Sequence, residues 1–154
     1  MPDAAKPIVL VAAVALIDVD GRVLLAERPA GKHLAGTWEV PGGKVQPGET
    51  PEAALIRELK EELDIDTHAS CLAPLNFASH AYETFHLLMP LYVCRKWQGI
   101  ATPREGQRLK WVRRRAKCFV EGVRSAGGAT MIGCFRTCMF LPITQQLCSP
   151  TATS

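Results

Sequence analysis

The chain has 154 residues, a length typical of one domain, and its 47% hydrophobic and 21% charged residues are ordinary for a globular protein. This composition excludes a collagen-like, low-complexity or wholly disordered chain. The charge is uneven: residues 1–110 carry 12 basic and 14 acidic residues, whereas residues 111–154 carry six basic and one acidic residue. Five of the acids fall between Glu49 and Glu62. A nucleic-acid binder is expected to show a basic stripe, so this cluster argues against a nucleic-acid polymer as partner and favours a divalent cation.

The first predicted element is an apolar run over residues 8–17, which is rich in Val, Ile and Ala and typical of a strand buried on both faces. Its ten residues are too few to cross a bilayer, so we expect no membrane partner. Asp20 and Gly21 form a turn signal, and residues 22–28 are predicted to return as the partner strand of a β-hairpin. A loop over residues 29–36 follows.

The next predicted elements are a short extended piece over residues 38–40, which stops at Pro41, and a helix. Thr50 suits the helix N-cap and Pro51 the first helical position, and the pattern continues to about Leu63. Further strands are predicted over residues 77–79, 85–94 and 109–112. Strands on both sides of one helix predict an α/β domain with α+β layering, in which a mixed β-sheet is flanked by helices.

The predicted helix has an apolar face next to an acidic one, at about 3.6 residues per turn. The apolar residues expected to pack on the sheet are Leu55, Ile56, Leu59 and Leu63. Glu58, Glu61 and Glu62 share the neighbouring arc, and like charges at these spacings destabilise a helix by about 0.2–0.5 kcal/mol per pair. Lys60 points elsewhere, and we expect Arg57 to neutralise only one neighbour.

A solvated acidic helix face is the simpler interpretation of these glutamates. A functional interpretation is favoured because the carboxylates border the apolar face rather than oppose it, and because they follow a glycine-containing loop that ends in Glu49. Hard oxygen ligands next to bare backbone are what Mg²⁺ or Mn²⁺ requires. Partly desolvated carboxylates that repel one another need a cation to remain ionised.

This segment resembles the Nudix box, the signature of the Nudix hydrolases. Every specified position but one matches, and the matching residues are Gly43, Glu49, Arg57, Glu58, Leu59, Glu61, Glu62 and Ile65. The departure is Asp64, where the family has a glycine that relaxes the helix end through positive φ. Because Asp tolerates positive φ better than most residues, we expect a small loss of stability and an intact site. Residues 36–44 and 104–107 resemble the MutT-like branch, and the whole resemblance spans about residues 7–112.

The resemblance implies a set of metal-binding and catalytic residues. The implied metal ligands are the carbonyl of Gly42 and the carboxylates of Glu58, Glu61, Glu62 and Glu105. Glu105, from a distant loop, would bind metal or help to activate water. Glu49 and Arg57 would pair and hold the loop against the helix, which supports the ligands from behind.

Substrate contacts are implied as well. Arg28 and Lys44 would meet phosphate oxygens, and His33 could reach a substrate. Trp38 and Val40 lie where such enzymes bind the base. The family commonly has an aromatic residue in place of Val40, so weaker stacking of the base is expected here.

The reaction implied by the resemblance is Mg²⁺-dependent attack of water on a nucleoside triphosphate, giving the monophosphate and pyrophosphate, with oxidised nucleotides such as 8-oxo-dGTP as expected substrates. The alternatives are hydrolysis of ADP-ribose or a similar nucleoside diphosphate derivative, hydrolysis of a pyrimidine triphosphate, and a nucleotide-binding module without catalysis. Monomer and homodimer both stay open. Six cysteines without paired spacing favour reduced thiols and hence the cytoplasm.

The C-terminal segment does not follow the family pattern. We assign residues 6–116 to the Nudix domain and residues 117–154 to an atypical tail. MutT-like proteins continue from the last strand into a proline-rich acidic loop and a second helix that covers the sheet, whereas here three arginines at residues 113–115 lead into a segment with four of the six cysteines. We hypothesise that the tail is disordered or comes from a shifted reading frame, which leaves the covering helix in doubt.

Overall fold

A computed structural model describes residues 5–31 and 35–113 of the chain. Within these residues there are seven strands, one α-helix and a short 3-10 helix at Ala69–Cys71. The strands are β1 (Ile8–Leu16), β2 (Arg22–Glu27), β3 (Trp38–Glu39), β4 (Gly42–Lys44), β5 (Leu72–Ala81), β6 (His86–Cys94) and β7 (Leu109–Arg113), and the helix is α1 (Pro51–Leu63). The predictions for His33 and for residues 117–154 lie outside the described residues.

The strands form two sheets. The larger one has the order β4-β1-β6-β5, with β1 parallel to β6 and the other two pairings antiparallel. The smaller one has the order β3-β2-β7, and both of its pairings are antiparallel. A mixed sheet combined with a helix confirms the predicted α/β class.

The prediction that β1 and β2 form a β-hairpin is wrong except for the turn between them. The turn itself forms, because the Asp18 carboxylate accepts hydrogen bonds from the N–H groups of Asp20 and Arg22. A single bridge between Ile17 and Val23 follows, and then the strands separate into different sheets. Both edges of β1 are occupied, by β4 and by β6, so β2 pairs with β3 and β7 instead.

Strand β4 was not predicted, since Pro41, Gly42 and Gly43 indicate a turn. In the structure this segment is extended and pairs antiparallel with β1. A Cβ on Gly42 would lie only 2.2 Å from the backbone oxygen of Ala12. The glycine therefore allows β4 to approach β1 more closely than any other residue could.

The helix begins and ends as predicted. Thr50 accepts a hydrogen bond from the N–H of Ala53 through Oγ1, and Pro51 occupies the first turn. The helix ends at Leu63, and the capping residue Asp64 adopts the left-handed conformation at φ 56° and ψ 35°. The N–H of Ile65 then bonds to the carbonyl of Leu59, the arrangement that a glycine normally permits.

One face of α1 forms the main core together with β1. The buried helix residues Leu55, Leu59 and Leu63 are each 0% exposed and pack against alternate residues of β1, which confirms the predicted apolar face. The other alternate residues of β1 belong to a second cluster that also contains residues of β2 and β6; its buried members are Ala13, Ala15, Ile17, Val23, Leu25 and Leu91. In the part of the chain that the structure describes, no helix is long and apolar enough to cross a membrane.

Candidate active site

The acidic face of α1 lies against the glycine backbone of β4. A Cβ placed on Gly43 would be 2.2 Å from Oε1 of Glu58, so the carboxylate fills the space that a side chain would need. The Glu58 side chain is 17% exposed, whereas that of Glu61, one turn further along the helix, is 59% exposed. One carboxylate is therefore held against the sheet and its neighbour reaches toward solvent.

Arg57 connects these glutamates to the loop before the helix. Its guanidinium makes two parallel hydrogen bonds to Glu49, from Nε to Oε1 at 2.9 Å and from Nη2 to Oε2 at 3.0 Å. The same group donates from Nη1 to Glu58 at 2.8 Å and, at the limit of a hydrogen bond, to Glu61 at 3.4 Å. Nη2 also donates to the backbone oxygen of Lys44 at 3.2 Å.

Arg57 thus contacts more carboxylates than expected, although its single positive charge still balances only one of them. A guanidinium has five N–H donors in a planar fork, so one side chain reaches three carboxylates at once. Bonding to Glu49 and then to Glu58 raises the pKa of Arg57. The same contact with Arg57, followed by the N–H of Gln46, holds the pKa of Glu49 below its ordinary value of 4.5.

The charge at this point is not balanced by Arg57 alone. One guanidinium faces the carboxylates of Glu49, Glu58 and Glu61, and Glu62 adds another acid to the same arc of the helix. In residues 5–31 and 35–113, no three His, Cys, Asp or Glu side chains lie close enough together to hold a metal ion as they stand. The donor set, which consists of hard carboxylate oxygens beside bare backbone, nevertheless fits a hard divalent cation in its chemistry.

The loop that carries Glu105 is attached to the C-terminal end of α1. The N–H of Thr102 donates to the carbonyl of Leu63 at 2.9 Å, and the N–H of Arg104 donates to the carbonyl of Glu62 at 3.0 Å. Arg104 also forms an ion pair with Asp64 at 3.2 Å. Residues far apart in the sequence, the last turn of α1 and the loop around Glu105, are thus brought together.

The predicted phosphate ligands lie at the ends of two different strands. Arg28, which directly follows β2, donates from Nη1 to both oxygens of Glu39 at 3.1 and 3.0 Å, while its Nε is buried and has no hydrogen-bond partner. Lys44 is exposed at the end of β4, and its own backbone carbonyl accepts the hydrogen bond from Arg57. Lys44 therefore lies beside the glutamates, and Arg28 is held by Glu39, whose role the sequence does not reveal.

The predicted base site lies on the smaller sheet. Trp38 and Val40 both pack against the second cluster. The ammonium of Lys110 lies 4.1 Å from the centre of the Trp38 ring, and the guanidinium of Arg108 lies 5.7 Å from it. These two cations were missed, because only the pairing of β2 with both β3 and β7 brings them next to Trp38.

Comparison with known proteins agrees with the geometry. The family described as the NUDIX domain matches residues 7–117. The 8-oxo-dGTP diphosphatase of Proteus vulgaris is 36% identical over 96 residues, which are 62% of this chain and 84% of that protein. The CTP pyrophosphohydrolase of Escherichia coli strain K12 is 40% identical over 99 residues, 63% of this chain and 70% of that protein. The crystal structure of a MutT NUDIX hydrolase from Burkholderia pseudomallei superposes with a TM-score of 0.63 at 29% identity, covering 71% of this chain and 85% of that one.

Proposed function

Because this chain belongs to the Nudix hydrolase family, we propose that it hydrolyses (deoxy)nucleoside triphosphates to the monophosphate and pyrophosphate with Mg²⁺, and that 8-oxo-dGTP is among its substrates. The observation that carries this proposal is the crowding of Glu49, Glu58 and Glu61 around one arginine beside the bare backbone of β4. Glu58 and Glu61 are three residues apart on the helix, and like charges at this spacing are unfavourable for the helix by themselves. The glutamates are explained if together they bind a divalent cation, which in turn binds a polyphosphate. The similarity to an 8-oxo-dGTP diphosphatase supports the choice of substrate.

The proposed metal ligands are the carbonyl of Gly42 and the carboxylates of Glu58, Glu61, Glu62 and Glu105. Mg²⁺ bound there would supply positive charge against the polyphosphate and lower the pKa of the attacking water. Without it, the glutamates would repel a triphosphate. Mn²⁺ satisfies the same oxygen ligands and is expected to replace Mg²⁺.

The other residues position these groups. Glu49 holds Arg57, and Arg57 in turn fixes the carboxylate of Glu58 through Nη1. Glu105 is proposed to orient the attacking water and accept its proton, while the bond between the attacked phosphorus and the bridging oxygen breaks and pyrophosphate leaves. Lys44 is proposed to bind the phosphate oxygens. Arg28 would join it by exchanging Glu39 for a phosphate oxygen.

A pyrimidine triphosphate is the second candidate substrate. The CTP pyrophosphohydrolase of Escherichia coli strain K12 is among the relatives. Val40 offers no ring for stacking, and Lys110 lies over the face of Trp38. Both features weaken stacking of a large purine and would suit a smaller base that forms hydrogen bonds at its edge.

The test is release of pyrophosphate from a panel of nucleotides, with Mg²⁺ and with EDTA. EDTA-sensitive release from triphosphates supports the proposal, and preference for 8-oxo-dGTP or for CTP decides between the two candidates. Products from ADP-ribose alone would select a different Nudix activity, and binding without turnover would identify a non-catalytic module.

The same assay assigns the glutamates. E58Q and E61Q are expected to lower kcat by about 10²- to 10³-fold, the range for removing one charge-stabilising group at a reacting centre. The matched control is E83Q, because Glu83 is exposed between β5 and β6. Retained activity in E58Q or E61Q at saturating Mg²⁺ would contradict these assignments.

A further inference from the structure

We infer that Gln107 is the positioning residue that fixes Glu105 to the end of the glutamate-bearing helix, an inference that rests on the proposed function. Gln107 is one of two buried polar residues within the described ranges and is 7% exposed. Its amide group bonds in two directions. Nε2 donates to the carbonyl of Glu62 at 2.9 Å, and Oε1 accepts from the N–H of Glu105 at 2.8 Å.

The backbone between the two residues makes this possible. Gly106 has a φ of +74°, in the region that favours glycine, and turns the chain so that the side chain of Gln107 folds back onto the N–H of Glu105. The loop thus forms a closed ring of Glu105, Gly106 and Gln107. The ring holds the backbone of Glu105 through its N–H group.

Gln107 thus bridges Glu105 and Glu62, and its partner in Glu62 is a backbone carbonyl that has no hydrogen-bond donor within the helix. The carbonyl of Glu62 lies in the last turn of α1, where carbonyl groups lack intrahelical partners. It accepts from Nε2 of Gln107 and from the N–H of Arg104. The loop is therefore bonded to the residue that carries one of the proposed metal ligands.

Only a neutral amide side chain of this length can make both bonds. It donates to one carbonyl and accepts from one N–H, whereas a carboxylate would place an acceptor against the carbonyl of Glu62. An unpaired acceptor in a buried position repels its neighbour and moves the loop. The bonds of Thr102 and Arg104 attach the loop just before Glu105, and Gln107 attaches it just after. Since Glu58, Glu61 and Glu62 are on the same helix, the bond from Gln107 completes the fixing of Glu105 relative to those glutamates.

This arrangement predicts a specific kinetic effect. Misplacing a reacting group by about 1 Å lowers the rate by about 100-fold. The proposed base site consists of Trp38 in β3 and the nearby Val40, and it does not include Gln107. Loss of the bridge is therefore expected to lower kcat and to leave KM nearly unchanged.

The experiment compares Q107E, Q107M and the control Q98E in the full chain. Q107E keeps the shape of the side chain, but its carboxylate cannot donate to the carbonyl of Glu62. Q107M removes both hydrogen bonds and is the second variant to measure if Q107E does not fold. Gln98 has an exposed side chain, and only its backbone pairs with Asp66. The readouts are kcat and KM for a nucleoside triphosphate, and hydrogen exchange of single backbone amides in the protein without substrate.

The expected result is a fall in kcat of about 10- to 100-fold in Q107E and Q107M with KM within about twofold, and unchanged values in Q98E. The amide of Glu105 is expected to exchange at least about tenfold faster, while the amide of Thr102, bonded to Leu63, keeps its protection. A folded variant with unchanged kcat would overturn the inference, as would unchanged protection at Glu105. If the wild-type protein releases no pyrophosphate, the proposed function fails, and the exchange of Glu105 still decides whether Gln107 holds it.

Discussion

Arg57 and Glu49 are joined by two parallel hydrogen bonds, which link the second turn of the helix to the loop in front of it. The two side chains are 25% and 15% exposed, so the pair is shielded from solvent on most sides. A bidentate pair of this kind fixes direction as well as distance. It turns the remaining Nη1 donor of Arg57 toward Glu58 and thereby sets the position of a proposed metal ligand.

This pairing predicts that Arg57→Lys is not a conservative change. A lysine ammonium cannot bond to both oxygens of Glu49 and also reach Glu58 in a fixed direction. We expect kcat to fall by about 10- to 100-fold and the protein to unfold at lower urea concentration. Steady-state kinetics and urea titration measure both effects. The control is R22K, since Arg22 pairs with Asp18 in the turn after β1; an equal loss in R22K would show that the effect is general.

Gly43→Ala is predicted to act through Glu58. The added Cβ would lie 2.2 Å from the carboxylate oxygen, a distance that no two such atoms tolerate, so the glutamate must move. We expect G43A to lower kcat at least about tenfold, because a displacement near 1 Å is sufficient for this. A double-mutant cycle with E58A tests the cause. If G43A lowers the activity of E58A as strongly as that of the wild type, the collision with Glu58 is not the reason.

The Glu49–Arg57 pair predicts a pH dependence of stability. The pKa of Glu49 is lowered below 4.5 in the folded protein, so the folded state binds fewer protons there than the unfolded chain does. The contribution of the pair is therefore fully present above about pH 4.5 and is lost as the pH falls through the lower folded pKa. We expect urea unfolding between pH 3 and 7, roughly the range that brackets this pKa, to show that the free energy of unfolding falls less on acidification in E49Q than in the wild type. If the free energy of unfolding falls equally with pH in both proteins, the Glu49–Arg57 pair is not the source of the pH dependence.

The left-handed backbone of Asp64 leads us to expect a difference in stability between D64A and D64G. This backbone is strained for any residue with a Cβ, and ion pairs with Lys60 and Arg104 compensate for this in part. D64A removes the ion pairs and keeps the Cβ, whereas D64G removes both. We expect D64A to be less stable than D64G by about 1 kcal/mol, the cost of a Cβ in left-handed backbone. Equal stability in urea titrations would show that the helix end rearranges instead.

The features that could be predicted from the sequence are those that depend on near neighbours in the chain. The cap at Thr50 follows from the preference of threonine for this position. The apolar face that contains Leu55 and Leu59 follows from helical periodicity, as does the arc shared by Glu58 and Glu61. The features that were missed depend on pairing between distant segments. Strand β4 approaches β1 closely because Gly42 has no side chain. Lys110 reaches Trp38 only because β2 pairs with both β3 and β7.

The same distinction holds inside the candidate site. The Glu49–Arg57 pair was expected from the family resemblance, and the structure contains it. The sequence could not predict that Arg57 also contacts Glu58 and Glu61. The direction of the Arg57 side chain depends on how the loop before the helix folds over it. For Gln107 the sequence offered two signals: it is an uncharged polar residue between Gly106 and the start of β7, and it belongs to the segment 104–107 that resembles the MutT-like branch. Its bond to Glu62 becomes visible only when the loop is placed.

The central claim is that the glutamates of α1 bind a divalent cation for use against a polyphosphate. Its most direct test is a titration of the protein with Mn²⁺, followed by electron paramagnetic resonance, in the presence of a non-hydrolysable nucleoside triphosphate analogue. The wild type is predicted to bind Mn²⁺, and E58Q and E61Q to bind it at least about tenfold more weakly, with E83Q unchanged. Equal Mn²⁺ affinity in all four proteins would contradict the claim.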